Sequence, residues 1–220
     1  MRRFAPLVLV GAALLCLALF LGPGKTVYVD AAAACWLQNG TAHYPFADIQ
    51  DALDAADEGA TVRIAAGYYS PFTLTKSLHL HGAGIDNVRI VSEDGAPSHI
   101  LTADGAIVEG LSFVGPGTIG APNGVGLRIV NAPHALVLSA KFPFYATGIE
   151  LVDSEVTLAA TIVEECAIGV AVDDGSTLHA SANVIVNNGV GVDCANGEVE
   201  SWNDVMAGND ADIAVSCARF

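Results

Sequence analysis

Short apolar runs of period two, each closed by Gly, Asn or Asp, fill the chain beyond residue 59. Thr61-Val62-Arg63-Ile64, Ser77-Leu78-His79-Leu80, Val88-Arg89-Ile90-Val91 and Ala106-Ile107-Val108 carry the alternation and β-branched content of short strands between turns. Val27-Tyr28-Val29-Asp30 reads as an earlier strand. Between them the period changes. Phe46, Ile49, Leu53 and Ala56 recur at three and four residues, which predicts one helix over 45–58. Pro45 suits its first position and Gly59 its stop. Asp48, Asp51, Asp54, Asp57 and Glu58 would form its solvated face.

The second half repeats itself. Leu127-Arg128-Ile129, Ile149-Glu150-Leu151, Val170-Ala171-Val172, Val190-Gly191-Val192 and Ile213-Ala214-Val215 start at steps of 22, 21, 20 and 23 residues. Two further apolar patches recur within the steps, for example at Val156-Thr157-Leu158 and Ile162-Val163. Three short strands per step make one coil of a single-stranded parallel β-helix. A single coil cannot bury its inner side chains, so successive coils must stack. This alignment puts Val170 over Ile149 and under Val190. A leucine-rich repeat would need a recurring Leu-x-x-Leu-x-Leu frame, and a β-sandwich more Asn-Gly hairpins; the sequence offers neither. The predicted helix 45–58 would cover the exposed N-terminal end of the coils.

Charge narrows the partners. Nine Lys+Arg face 24 Asp+Glu among 220 residues, a net of −15. Arg2, Arg3 and Lys25 lie in the first 25 residues, which hold no acids; the remainder has six bases against 24 acids, a net of −18. Such a surface repels phosphate backbones and anionic lipid heads, which excludes nucleic acid and basic-patch membrane binding. The first 25 residues pair Arg2-Arg3 with an apolar run from Phe4 to Leu21, then Gly22-Pro23-Gly24. That is the layout of a secretory signal peptide, though 18 apolar residues also approach the length of an N-terminal membrane anchor. A lipoprotein reading through Cys16 meets bulky Leu15 before the cysteine. Each option places residues 26–220, one β-helix domain, outside the cytosol.

Several residues carry candidate chemistry. In the coil alignment Asp153, Asp173, Asp174 and Asp193 fall at one strand end, where coils about 4.8 Å apart would gather their carboxylates. Such oxygens, Asp153 and Asp174 above all, could hold Ca²⁺ or do acid–base work on a glycosidic bond; the plain alternative is ordinary turn chemistry. Phe142-Pro143-Phe144-Tyr145 is the densest aromatic group, with Phe144 and Tyr145 placed to stack on sugar rings or to pack against the coil. His79 and His81 share one strand face but lack the further ligands expected of zinc. Cys194 and Cys217 fall in one column, 23 residues and one coil apart, within disulfide reach in an oxidising compartment; Cys35 and Cys166 are left over. Gly115-Pro116-Gly117-Thr118-Ile119-Gly120 matches a dinucleotide fingerprint, but no helix follows it.

Thr26-Val27-Tyr28-Val29-Asp30, Pro45–Ala56, Gly59–Tyr69 and Leu78-His79-Leu80-His81-Gly82-Ala83-Gly84 together resemble the opening of pectin-lyase-like right-handed parallel β-helix proteins. The resemblance is specific over Thr26–Gly84 and rests on the coil repeat alone beyond it. It implies an extracytoplasmic protein that binds or processes polysaccharide. The pectin methylesterase branch has the most similar opening, yet its Gln-Asp-Thr-Leu and Asp-Phe-Ile-Phe-Gly runs are absent, as are the Gly-His-Gly and Arg-Ile-Lys motifs of polygalacturonases. No catalytic residue carries over. The expectation is an exported, non-catalytic β-helix module, released or tethered by its N-terminal segment, that binds glycan or an envelope or extracellular protein along its coil face. The alternative is a polysaccharide lyase or glycoside hydrolase working through Asp153, Asp173 and Asp174.

Overall fold

The computed structural model describes residues 26–33, 38–195 and 197–214. The chain winds as a right-handed parallel β-helix of about seven coils whose strands fall in turn into three sheets. Sheet I has eight strands, from Thr26–Val29 to Glu198–Trp202. Sheet II has seven, from Gly67–Tyr69 to Val205–Ala207. Sheet III has seven, from Thr73–Leu74 to Ala211–Ile213. Pairing is parallel in all three, so each residue stacks on its counterpart one coil away.

The core is built from these stacks. Val62, Leu80, Val108, Val137 and Leu158 form one inward ladder on sheet I, and Ile100, Ile129, Leu151, Val172 and Cys194 another on sheet III. Phe113 and Phe142 stack face to face across adjacent coils of sheet II, 4.7 Å between centroids and 7° between planes. In the first three aligned units the expected register holds: Leu127 pairs with Ile149, and Ile149 with Val170. The fourth is shifted. Val170 pairs with Val192, and Val190 instead meets Ile168. A two-residue slip leaves the same strand face inward, so alternation alone does not choose between the two registers.

The helix is shorter than the predicted 45–58. Helix α1 spans Ile49–Ala55 and is started by Asp48, whose carboxylate accepts the Gln50 N–H at 2.7 Å. It buries Ile49, Ala52 and Leu53 against the first coils. Lys76 closes its other end, donating from Nζ to the carbonyls of Leu53, Asp54 and Ala56 at 2.8–2.9 Å. Pro45 and Phe46 lie outside the helix in an extended segment. The Phe46 N–H donates to Tyr28 O (2.9 Å), the Asp30 N–H to Phe46 O (2.8 Å), and the Tyr28 N–H to Gly40 O (2.9 Å). The edge of sheet I is therefore covered by this segment, while α1 plugs the core beside it.

The corners between sheets I and II turn on one left-handed residue per coil: Gly110, Ser139, Ala160, Ala182 and Asn203. The corners between sheets III and I use Asn131 and Asp153 in the same conformation, at φ 49° and 45°. Short polar side chains tolerate that region better than most.

Candidate functional site: a cleft on the first coils of sheet I

Sheet I presents one outward column in which Tyr28, Arg63, His81 and Glu109 stand on four successive strands. Its neighbour column holds Thr26, Thr61, His79 and Ile107. The covering segment rises beside them, and Tyr28, Asp30, Ala42, Pro45, Arg63 and His81 line a cleft of about 290 Å³. Period two puts His79 and His81 on one face, and the parallel register sets Glu109 beside His81. A single Glu109 oxygen, Oε2, lies 2.9 Å from His79 Nε2 and 3.1 Å from His81 Nδ1. The hydrogen bond from His81 holds the Glu109 carboxyl below its ordinary range; partial burial pushes the other way, and the His79 bond adds to the lowering. Among the described residues, these three are the one group of at least three His, Cys, Asp or Glu ligand atoms mutually within 4.8 Å.

Arg63 is singular among the described cations. Lys76 caps α1, Arg89 lies over the Tyr68 ring at 5.7 Å, Arg128 makes a two-pronged pair with Glu150, and Lys141 pairs with Glu164 at 2.7 Å. Arg63 has no ion pair or side-chain hydrogen bond among the described residues, and it lines the cleft as an exposed residue. At the far end of the same column stands Trp202, 80% exposed. It lines a second hollow of about 310 Å³ with Thr157, His179, Ser181 and Glu200.

The residues singled out in the sequence lie elsewhere. Asp153 is a left-handed corner residue on the coil after Asn131. Asp173 Oδ1 accepts the Asp153 N–H at 3.3 Å and the Ser176 hydroxyl at 3.0 Å, and Asp174 sits in the turn before Gly175. Asp193 pairs in register with Ala171, which separates it from the Asp153 corner; it shares only a small cavity of about 80 Å³ with Asp173. The two-residue shift of that coil thus takes Asp193 out of the expected acidic column, and Asp153 and Asp174 belong to no group of three or more His, Cys, Asp or Glu ligand atoms within 4.8 Å of one another among the described residues. Tyr145 is a core residue at 1% exposure, its ring filling the space left by Gly115 and Gly126. It cannot meet a sugar. Phe144 is half-buried at a left-handed corner, φ 65°. Cys194 faces the core, and Cys217 lies outside the described residues, as do Cys16 and Cys35. Cys166 is a free buried thiol whose pKa burial pushes up to about 11, which makes it inert.

A second string of imidazoles and carboxylates crosses the sheet I surface. His134 Nδ1 contacts Asp104 at 3.0 Å, His179 contacts Glu155 at 3.4 Å, and His179 Nδ1 meets Glu200 at 2.9 Å. The hydrogen bond to Asp104, then the charges of Glu155 and Asp104, raise His134 above its ordinary 6.5. A raised folded-state pKa gives stability that is complete below 6.5 and is lost as pH climbs through the folded value. Proton NMR titration of the His134 ring is expected to give a midpoint above 6.5, and Asp104→Asn to bring it back toward 6.5. An unchanged midpoint in that variant would show that the contact does not persist in solution.

No protein-family model and no curated protein matches the sequence. Solved structures do resemble the fold. ORF18 of Geobacillus virus E2 superposes with a TM-score of 0.57 at 14% identity, over 99% of this chain and 46% of that one. A rhamnogalacturonan lyase superposes with a TM-score of 0.50 at 13% identity, over 86% of this chain and 59% of that one. The chain spans about half the length of these two proteins. The coil topology and these likenesses together show a right-handed parallel β-helix, the fold that the Thr26–Gly84 resemblance implies.

Proposed function

We propose that this is an exported glycan-binding β-helix module whose ligand lies along the outward face of sheet I and is anchored in the Tyr28–Arg63–His81 cleft. The observation that carries the reading is Arg63. It carries a cation with no ionic partner among the described residues, in a chain of net charge −15, and lines the cleft in register between Tyr28 and His81. Its donors suit sugar hydroxyl or carboxylate oxygens, and the faces of Tyr28 and Trp202 suit sugar rings. The two aromatics lie seven strand spacings apart in one column, roughly 34 Å at about 4.8 Å per strand, a length matched to an oligosaccharide rather than a monosaccharide. The His81 hydrogen bond holds the Glu109 carboxyl below its ordinary range, which disfavours it as a proton donor to a glycosidic oxygen and supports binding over hydrolysis at this point of the cleft. Export rests on the segment Arg2–Lys25, which lies outside the described residues. The same compartment would favour a Cys194–Cys217 bridge, checked by peptide mapping under non-reducing conditions.

The test is a glycan panel followed by calorimetry on the ligands retained. Arg63→Ala is expected to weaken binding about tenfold or more, equal to about 1.4 kcal/mol, and Trp202→Ala to weaken it for long but not short chains. New reducing or unsaturated ends in the same reactions would instead support the lyase or hydrolase reading. Retention of no glycan across neutral and acidic polysaccharides would defeat both.

A further inference from the structure

We propose that His79, His81 and Glu109 form a binding site for a divalent transition metal, with Zn²⁺ the ion their donors fit. The sequence shows two histidines on one face and no third ligand nearby. The coil stacking supplies it: Glu109, 28 residues beyond His81, is its partner in the next strand.

The geometry is that of a ligand set already gathered. Bonds of about 2.0–2.2 Å at tetrahedral angles place zinc donors roughly 3.3 Å apart. The two edges that meet at Glu109 Oε2 measure 2.9 and 3.1 Å, within a few tenths of an ångström of that value. The His79–His81 nitrogen edge is inside 4.8 Å. The imidazoles stand nearly perpendicular, at 87°, so their lone pairs can converge without the rings colliding. All three side chains spring from adjacent strands of a stacked sheet, which fixes their backbones against one another.

The donor set also selects the ion. Two imidazole nitrogens and one carboxylate disfavour Ca²⁺ and Mg²⁺, which seek oxygen, and suit zinc and its first-row neighbours. Three protein ligands leave a coordination position open. The side chains are one-third to two-fifths exposed (34% for His79, 42% for His81, 33% for Glu109), and His81 also lines the cleft. The open position is therefore accessible, as in zinc sites that take an outside ligand rather than closed structural ones. The trio is also local. On the next two coils the same two columns hold Leu136 and Leu138, then Thr157 and Ala159; beyond them one column carries His179 and Glu200, which join no group of three imidazole, thiol or carboxylate ligand atoms within 4.8 Å of one another among the described residues. The column thus recurs with an imidazole and a carboxylate without repeating the three-ligand cluster.

This inference stands apart from glycan binding, since either can fail while the other survives. The test uses metal-free full-length protein titrated with ZnCl₂ by calorimetry, with Co²⁺ absorption as a second readout. One zinc per chain and a visible d–d spectrum of a four- or five-coordinate Co²⁺ site are expected. His81→Ala and Glu109→Gln should each weaken zinc by more than the roughly 10–100-fold lost when an outer-shell partner is removed. His179→Ala, in the other imidazole string, should leave it unchanged. Both test residues face outward, and circular dichroism verifies that the variants keep the β-helix. Absence of stoichiometric zinc overturns the proposal. So does zinc that binds undiminished in both His81→Ala and Glu109→Gln, or that is lost in His179→Ala instead.

Discussion

Replacing Gly148 with alanine is expected to lower the melting temperature by roughly 6–12 °C, the equivalent of about 3 kcal/mol in a domain of this size. The cause is a glycine column. Gly126, Gly148, Gly169 and Gly191 occupy one position of sheet III on successive coils, beside the register pairs Leu127–Ile149–Val170–Val192. A Cβ on Gly148 would sit 2.7 Å from Gly169 O and 2.9 Å from the Val163 methyl. At Gly126 and Gly169 the carbonyl of the next glycine would be 2.6 and 2.5 Å away, and at Gly191 that of Asp212 would be 2.5 Å away. The obstacle is backbone, which does not swing aside as a side chain can. Admitting one methyl means parting two coils along a sheet whose hydrogen bonds depend on their spacing. An outward methyl, as in Ala171, is the contrast, and Ala171→Ser should change the melting temperature little. A Gly148→Ala protein that melts within a degree or two of the parent would mean that the coils are less tightly apposed than this column requires.

The same column explains what the amino-acid pattern could and could not disclose. Stacking of Leu127, Ile149 and Val170 was legible because each begins a Val- or Leu-rich triplet at nearly constant interval. The fourth triplet, Val190-Gly191-Val192, gives its two valines equal claim to the column, and hydrophobicity cannot choose. Glycine can: Gly191 belongs against Gly169, which moves Val192 onto Val170. Asp193 was misplaced in the acidic column through that slip, and Asp153 takes the left-handed corner position that aspartate also serves. The zinc trio was half legible. His79 and His81 announce a shared face, but Glu109 was hidden by coil length. The early coils are uneven, 18 residues from Arg63 to His81 and 28 from His81 to Glu109, where later ones take 21 or 22. A repeat tuned on the second half does not reach across them. Tyr145 shows the opposite failure. An aromatic on a turn suggested a ligand platform, whereas Gly115 and Gly126 had vacated the space that its ring fills.

The second large effect is expected at Asn188, which is 2% exposed at the corner between sheets II and III. Its side chain ties three coils together. Oδ1 accepts the Cys166 N–H at 2.9 Å from the coil below, and Nδ2 donates to Val163 O at 3.1 Å and to Asn209 Oδ1 at 3.0 Å above. Asn209 repeats the motif, donating from Nδ2 to Ile185 O and accepting the Asn188 N–H at 2.8 Å. Asn183 does the same at the neighbouring corner, between Thr161 and Asp204. Asn188→Leu keeps the branched shape but strands a buried N–H and a buried carbonyl, each costing about 1–3 kcal/mol. A loss of about 4 kcal/mol, or roughly 8–16 °C, is expected. Asn188→Asp separates polarity from shape. Its carboxylate can still accept from Cys166, but when ionised it offers no hydrogen to Val163 O or Asn209 Oδ1. Burial and those two acceptors favour the protonated acid, so its folded-state pKa lies above the unfolded value of about 3.9. A raised pKa confers stability that is complete below about pH 3.9 and declines as pH rises toward the folded value. Relative to the parent protein, Asn188→Asp should therefore lose most at pH 7 and recover toward pH 4, in denaturant titrations at both. A deficit of equal size at the two pH values would show that the amide's donors are not what holds these coils in register.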